Sequence, residues 1–301
     1  MHIRSLLAAA AVCALPVASS AAIFTENFDD GNAASRWTTV QKTADAGSNF
    51  ALDYSSFGIG VPRTGQATST GLQLWANRTG GVVTGISAYA NGVNVTESAV
   101  MEFDMYARFA DAGGSTIYAT YGMYHSTQDG TWNSISPNAT SGRWFTTSSD
   151  NGTATAYRAH RAASNIGTAA NYLGGSQNGA TASYQALFPD QDGAGANSIA
   201  GFILNRWVNV RATRIMETGE IKLEMKNPSD ADYTTIFQFI DSDTSQTSGT
   251  VTLGMTDPFA SLSGLNTYYI FDNLSITAVP EPTSLAFLGL GGLALLRRRR
   301  A

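Results

Sequence analysis

The chain is poor in cysteine, histidine and lysine, and each shortage removes a class of function. Its single cysteine is Cys13. That residue lies in an apolar N-terminal stretch that reads as a leader. The exported chain is then left without a thiol, which excludes disulfides and cysteine-bound metals. Only two histidines follow the leader, His125 and His160. No HExxH spacing, other metal-ligating pair or GxSxG nucleophile elbow occurs. Charged residues make up 14% of the chain. With leader and tail set aside, 13 basic and 22 acidic residues remain, a net charge near −9. Phosphate binding needs a basic face, so nucleic acid is excluded as a partner. The body shows no sustained 3.6-residue apolar period and no tandem repeat.

What is present begins with the two ends. MHIRSLLAAAAVCALPVASSAA has a basic start (His2, Arg4), an apolar run from Leu6 to Val17, and small residues that fit a cleavage site near Ala21 or Ala22. This is the three-part pattern of a secretory signal peptide, assigned to residues 1–22. Cys13 follows Val12, too early for a lipid-anchored cysteine at the cleavage site. The other end, residues 279–301, reads VPEPTSLAFLGLGGLALLRRRRA. Thr283 to Leu296 would span about 21 Å as a helix, whereas a stable membrane span needs about 20 residues. Gly289, Gly291 and Gly292 weaken it further. Arg297, Arg298, Arg299 and Arg300 would stay on the cytoplasmic side as a membrane stop. The segment suits a temporary hold in the inner membrane, and Pro280 and Pro282 keep the residues before it extended.

Val279, Pro280, Glu281 and Pro282, then the short apolar helix over 283–296, then the arginine cluster at 297–300, together resemble the PEP-CTERM sorting signal of Gram-negative bacteria. The resemblance implies processing by an exosortase, a membrane transpeptidase-like partner, after transient residence in the inner membrane. It also implies delivery to the cell envelope or an extracellular, exopolysaccharide-rich biofilm matrix.

The body, residues 23–278, is rich in Gly, Ser, Thr, Asn and Ala. AVMEFDMYARF alternates Met101, Phe103, Met105, Ala107 and Phe109 with Glu102, Asp104, Tyr106 and Arg108. That period of two predicts a half-buried strand. TIYATYGMYH follows the turn DAGGS, and the two segments are expected to form an antiparallel hairpin. RWVNVRATRI and IKLEMK, joined by a turn at Gly219, predict a second hairpin with Val208, Val210, Ala212, Ile221, Leu223 and Met225 inward. Further strands are expected over 233–240, 250–256 and 268–276, and at AIFTENF, RWTTV and GLQLWA. Residues 125–200 read as loop-rich. Many short strands between Gly, Asn, Asp and Ser turns indicate an all-β, two-sheet antiparallel sandwich. The Asn-x-Ser/Thr triplets, as at Asn94 and Asn273, read as composition rather than as glycan acceptors.

FTENFDDGNAASRW near the start and YYIFDNLSI at the end resemble the first and last strands of concanavalin A-like, laminin-G-like jelly rolls. RWVNVRATRIMETGEIKLEM and GTVTLGMTDP resemble middle and later strands of that fold. The resemblance implies a curved sandwich used to bind glycans. It also implies that the terminal strands are neighbours sharing a structural calcium, with Glu26, Asp29 and Asp272 as candidate oxygen ligands. Ordinary turn and surface carboxylates are the alternative reading of those three residues.

Two chemistries remain open for the body. Glu102-Phe103-Asp104-Met105-Tyr106-Ala107 is similar to the E-x-D-x-x-E strand of jelly-roll glycanases. A retaining mechanism needs two carboxyls about 5 Å apart, and Ala107 stands where the acid/base would be. Glycan binding is the other. Tyr106, Tyr118, Tyr124 and Trp207 are expected on the non-core faces of their strands, with Asp104, Arg108, Asn209 and Arg211 beside them. Aromatic planes stack on sugar rings while carboxylate, amide and guanidinium take the hydroxyls. Trp132 and Trp144 are further candidates. The expectation is a non-catalytic structural or glycan-binding matrix protein, with a polysaccharide-active enzyme as the alternative.

Overall fold

The computed structural model describes residues 21–109, 117–126, 141–148, 156–161, 172–176, 181–189, 200–243, 245, 247–258 and 266–280. These residues carry two antiparallel sheets. Sheet A runs in the order β13 (Thr234–Ile240), β12 (Glu220–Lys226), β11 (Trp207–Ile215), β6 (Ala99–Phe109), β15 (Thr267–Ala278), β4 (Thr70–Trp75) and β3 (Gly47–Asp53). The first strand, β1 (Ala22–Glu26), also pairs with β15. Sheet B runs β10 (Tyr172–Ser176), β9 (Tyr157–Arg161), β8 (Arg143–Ser148), β7 (Tyr118–His125), β14 (Thr250–Asp257), β5 (Thr84–Ala90) and β2 (Trp37–Gln41). The described residues also include two short α-helices, α1 (Ala33–Arg36) and α2 (Ala182–Leu187), and a 3-10 turn at Tyr54–Phe57. The chain is an all-β sandwich, as its alternation indicates. The expected signal peptide and the expected apolar helix over 283–296 lie outside the described residues. Among the described residues no helix is long and apolar enough to cross a membrane.

Period-two patterning accounts for the core. Met101, Phe103, Met105, Ala107 and Phe109 of β6 are all buried, as are Val208, Val210 and Ala212 of β11 and Ile221, Leu223 and Met225 of β12. They meet the inward side chains of sheet B in one continuous apolar cluster. Phe103 of sheet A packs edge-on against Tyr121 of sheet B, with ring centroids 4.9 Å apart. Each of the larger buried side chains, Val, Leu, Ile, Met or Phe, contributes about 1.5–3 kcal/mol of transfer free energy.

The hairpin expected between β6 and β7 does not form. β6 pairs with β11 and β15 in sheet A, and β7 pairs with β14 and β8 in sheet B. Both strands carry an apolar stripe, and the stripes face each other across the sandwich instead of lying side by side. The expected β11–β12 hairpin does form, turning at Gly219 with φ 74°. Within 125–200, β8, β9, β10 and α2 are regular elements where loops were expected. β8 is buried along its whole length, so it carries no alternation to read.

The terminal strands are neighbours as expected, with Thr25 opposite Ser275 and Glu26 opposite Leu274. A bulge in β15 at Asn273, where φ is 51°, lets the same edge serve two partners. Tyr269–Phe271 pair with β4 before it, and Leu274–Thr277 pair with β1 beyond it. At the other end of the sandwich, Arg143 and Arg161 of sheet B bind the Asp241 carboxylate. Arg214 of sheet A donates to the Asp243 carbonyl at 3.0 Å.

Candidate functional site

The outer face of sheet A, turned away from the core, collects most of the predicted ligand-binding residues. The reason is register. Arg211 stands directly opposite Glu102, Asn209 opposite Asp104, and Trp207 opposite Tyr106. β15 adds Asp272 opposite Asp104 and Ser275 opposite Glu102. β12 adds Lys226 opposite Asn209.

The segment after β3 folds back over part of this face. It roofs Trp207, Tyr268 and Ile270 with Tyr54 and Ile59, forming a second apolar cluster. Trp207 Nε1 donates to the Gly60 carbonyl at 2.6 Å, and the ring packs edge-on against Tyr54 and Tyr106. Arg108 reaches the Phe57 carbonyl at 3.4 Å. Trp207 is therefore a packed anchor for the roof and not an open stacking platform.

Beside the roof lies an open pocket of about 450 Å³, lined by Arg63, Glu102, Asn209, Arg211, Lys226 and Tyr233 among others. Arg211 Nε donates to Glu102 Oε1 at 2.7 Å, and its guanidinium lies 3.8 Å above the Tyr233 ring centroid. The Tyr233 hydroxyl donates to the same Glu102 oxygen at 3.3 Å. Burial, and then the Glu102 carboxylate, push the Tyr233 phenol up to about 12, so it remains a donor.

Beneath the pocket, Asp104 is fully buried and held from three sides. It accepts from Arg63 Nε at 2.7 Å, from Asn273 Nδ2 at 2.8 Å and from Asn209 Nδ2. Its cross-strand neighbour Asp272 accepts from Gln66 Nε2 at 2.8 Å, Tyr54 Oη at 3.1 Å and the Asn273 N–H at 2.7 Å. Burial, reinforced by the Asp104 charge, still raises Asp272 to about 7. Two carboxylates share one desolvated site, and ionisation of Asp272 is held back by it.

Tyr118 and Tyr124 do not join this group. Both belong to β7 in sheet B, and Tyr124 is part of the core. A positive φ of 65° at Tyr124 breaks the strand's alternation and turns the ring inward, where its hydroxyl donates to the Glu97 carbonyl at 2.9 Å. Trp144 is wholly buried against His125, and Trp132 lies outside the described residues.

Sheet B presents a different outer face. One cross-strand row runs Ser87, Gly254, Thr120, Thr146 and Arg158. The next runs Tyr89, Thr252, Gly122, Trp144, His160 and Tyr172. A Cβ at Gly122 would collide with the Arg143 carbonyl, and one at Gly254 with Thr120. A cleft of about 590 Å³ opens at the end of this sheet, lined by Tyr89, Asn91, Asn94, His125 and Thr250 among others, with no charged side chain. Burial holds His125 and His160 down to about 3, so both imidazoles are neutral at ordinary pH.

The three calcium candidates do not converge. Glu26 is paired with Leu274 on the core side of the sheet, whereas Asp272 points to the outer side. Both Glu26 oxygens accept from Arg36 at 2.8 Å, and further bonds come from the Phe28 N–H and Trp37 Nε1. Those bonds hold the Glu26 carboxyl below its ordinary range against the cost of burial. The Asp29 charge reaches Tyr54, the residue that also binds Asp272. Among the described residues no cluster of three or more His, Asp or Glu is arranged to hold a metal.

The glycanase-like strand is similarly rearranged. β6 is continuous in register through Ala107, which points into the core. Glu102 and Asp104 face outward, and the third position of that motif does not.

Residues 278–300 match the PEP-CTERM protein-sorting motif. Of the PEP-CTERM residues, Val279 and Pro280 are described, and the Val279 N–H donates to the Ser98 carbonyl at 2.8 Å. Glu281, Pro282 and Arg297 to Arg300 lie outside the described residues. No curated protein matches the chain by sequence. Among solved structures, the potassium-bound carbohydrate recognition domain of Emp46p superposes with a TM-score of 0.51 at 12% identity, covering 87% of this chain and all of that one. Its metal-free form gives the same score and coverage. A legume lectin-like domain from Entamoeba histolytica gives a TM-score of 0.50 at 10% identity, again covering 87% of this chain and all of that domain. The body has the legume-lectin-like, concanavalin A-like sandwich fold.

Sequence reasoning missed Arg63, Gln66, Lys226, Tyr233 and Asn273. Lys226 was open to discovery, because it extends the polar alternation of β12. Arg63, Gln66 and Tyr233 stand outside the strands, where no period reports which face they reach.

Proposed function

We propose that this is an exported matrix or envelope protein whose sorting tail is removed by an exosortase and whose body binds extracellular glycan without catalysis. The observation that carries the reading is the 450 Å³ pocket on sheet A, where Asn209 and Arg211 meet Glu102 and Tyr233 over the Asp104 network. Its size falls within the range of about 300–1,000 Å³ usual for small-ligand sites. Emp46p, of the same fold, is described as a carbohydrate recognition domain. The carboxylates at the pocket are engaged: Glu102 by Arg211 and Tyr233, and Asp104 by Arg63 and two amides. Carboxylates fixed in this way hold hydroxyls and cations better than they exchange protons with a glycosidic oxygen, which favours binding over hydrolysis.

A glycan array with the body, residues 22–279, tests the reading. Selective binding that drops when Arg211 is replaced by alanine is the expected result, and reducing sugar released from any bound glycan would argue for the enzyme. The array run with and without calcium tests an ion held by groups other than Glu26. For the tail, intact-mass measurement on native envelope protein should find the residues after the Pro280 region missing. Retention of Arg297 to Arg300 in the mature protein would sink the processing step.

A further inference from the structure

We infer that the pocket on sheet A selects an acidic sugar unit, a pyranose bearing a carboxylate, over a neutral one. The inference rests on the glycan-binding reading and assigns that site its ligand class.

The pocket is cationic in an anionic protein. Arg63, Arg211 and Lys226 line it, against Glu102 in the lining and Asp104 beneath it, which leaves the Lys226 charge in surplus, while the exported body carries a net charge near −9. The cations are also positioned before any ligand arrives. Arg211 is fixed by Glu102 on its Nε and by the Tyr233 ring beneath its plane. Arg63 is fixed by the buried Asp104 through Nε and one terminal nitrogen. Among the described residues Arg211 keeps both terminal nitrogens without a hydrogen bond, a fork that suits a planar carboxylate, and Arg63 keeps one.

Lys226 has no carboxylate within ion-pair distance among the described residues. Its ammonium makes one long bond, 3.4 Å to the Ala231 carbonyl, and stands 5.0 Å from the Tyr233 ring. Thr64 and Ser275 complete the lining with hydroxyls that can meet a sugar's own. A bound carboxylate would neutralise the excess positive charge, and a neutral sugar would leave it uncompensated. The cleft on sheet B has no charged side chain, so the preference belongs to one face only.

The test is calorimetric titration of the body with an oligouronate, the matching neutral oligosaccharide and a sulfated one. Lys226→Met serves as the main variant because it leaves no buried partner stranded. The expected result is binding of the oligouronate ahead of the neutral chain, weakened about tenfold in Lys226→Met, as loss of one charge-assisted hydrogen bond would give. Binding should also weaken as salt rises. Arg211→Lys should weaken it as well, because it keeps the charge and loses the fork. Preference for the sulfated chain would overturn the carboxylate assignment. Equal binding of the neutral chain, indifferent to Lys226→Met, would overturn the acidic-sugar inference and leave glycan binding standing. Binding of none of the three would overturn this inference and remove the support for the glycan-binding reading at this pocket.

Discussion

The two sheets bury comparable cores but finish their outer faces in opposite ways. On sheet A, charged and amide side chains stand opposite one another in register, as with Arg211 and Glu102 or Asn209 and Asp104. On sheet B, the equivalent rows hold Ser, Thr, Gly and neutral aromatics, with Arg158 the one charged side chain among the residues of those rows. Several of those polar atoms are buried with no partner among the described residues, including Ser87 Oγ, Thr146 Oγ1 and Thr252 Oγ1. Burial of Asp104 and Asp272 on sheet A is tolerated because each is bonded from several sides, whereas sheet B relies mostly on hydroxyls small enough to be enclosed at low cost. The contrast separates polarity that organises a site from polarity that only fits.

The largest expected effect removes the floor common to both faces. Phe103→Ala would empty the contact with Tyr121 and with Phe271, whose ring centroid is 5.8 Å away. A loss of about 3–5 kcal/mol in urea unfolding is expected. A loss below about 1 kcal/mol would mean that the sheets do not pack through this ring.

The next pair of variants tests the contrast directly. Asp104→Ala strands Arg63, Asn209 and Asn273, and breaking a buried charge pair costs about 3–5 kcal/mol. Since the side chain of Arg63 is half exposed, the lower end is expected. Thr146→Val removes an unpartnered hydroxyl on sheet B and should be neutral or slightly stabilising. If both variants behaved alike, the distinction between the faces would fail.

A smaller, pH-dependent effect belongs to Asp272. Its folded pKa of about 7 lies above the ordinary value of 3.8. Between roughly pH 4 and 7 the folded state therefore holds the proton more tightly than the unfolded one, and stability falls as pH rises through that window. Asp272→Asn should remove this slope, so that the variant gains on the wild type between pH 5 and 8 by up to a few kcal/mol. Parallel stability–pH curves for the two proteins would show that Asp272 ionises normally. Glu26, Asp241 and Asp243 act in the opposite sense. Their folded pKa values are depressed, and the stability they add is lost as pH falls below the usual carboxylate range.

Much of the architecture was legible in the chain. Strict alternation in β6, β11 and β12 marked the inward residues correctly, because a strand's side chains must leave opposite faces in turn. The C-terminal sorting motif was readable for a similar reason, since it is a local sequence of extended residues, apolar run and charge. Alternation also placed Asp104, Asn209 and Arg211 on an outward face. It could not report that β6 and β7 lie in different sheets, since a period of two is the same whether a strand's neighbour is beside it or across the core.

Only the tertiary structure decided which outward residues meet. Arg63 reaches Asp104 across 41 positions of sequence, and Gln66 reaches Asp272 across 206. Glu26 and Asp272, plausible partners by residue type, are separated by the thickness of a sheet because one register step reverses a side chain. The sequence by itself determined the sandwich, its inward faces and the sorting motif at residues 278–300. The pocket, its surplus of positive charge and the raised pKa of Asp272 came from long-range register and from burial, which no local pattern encodes.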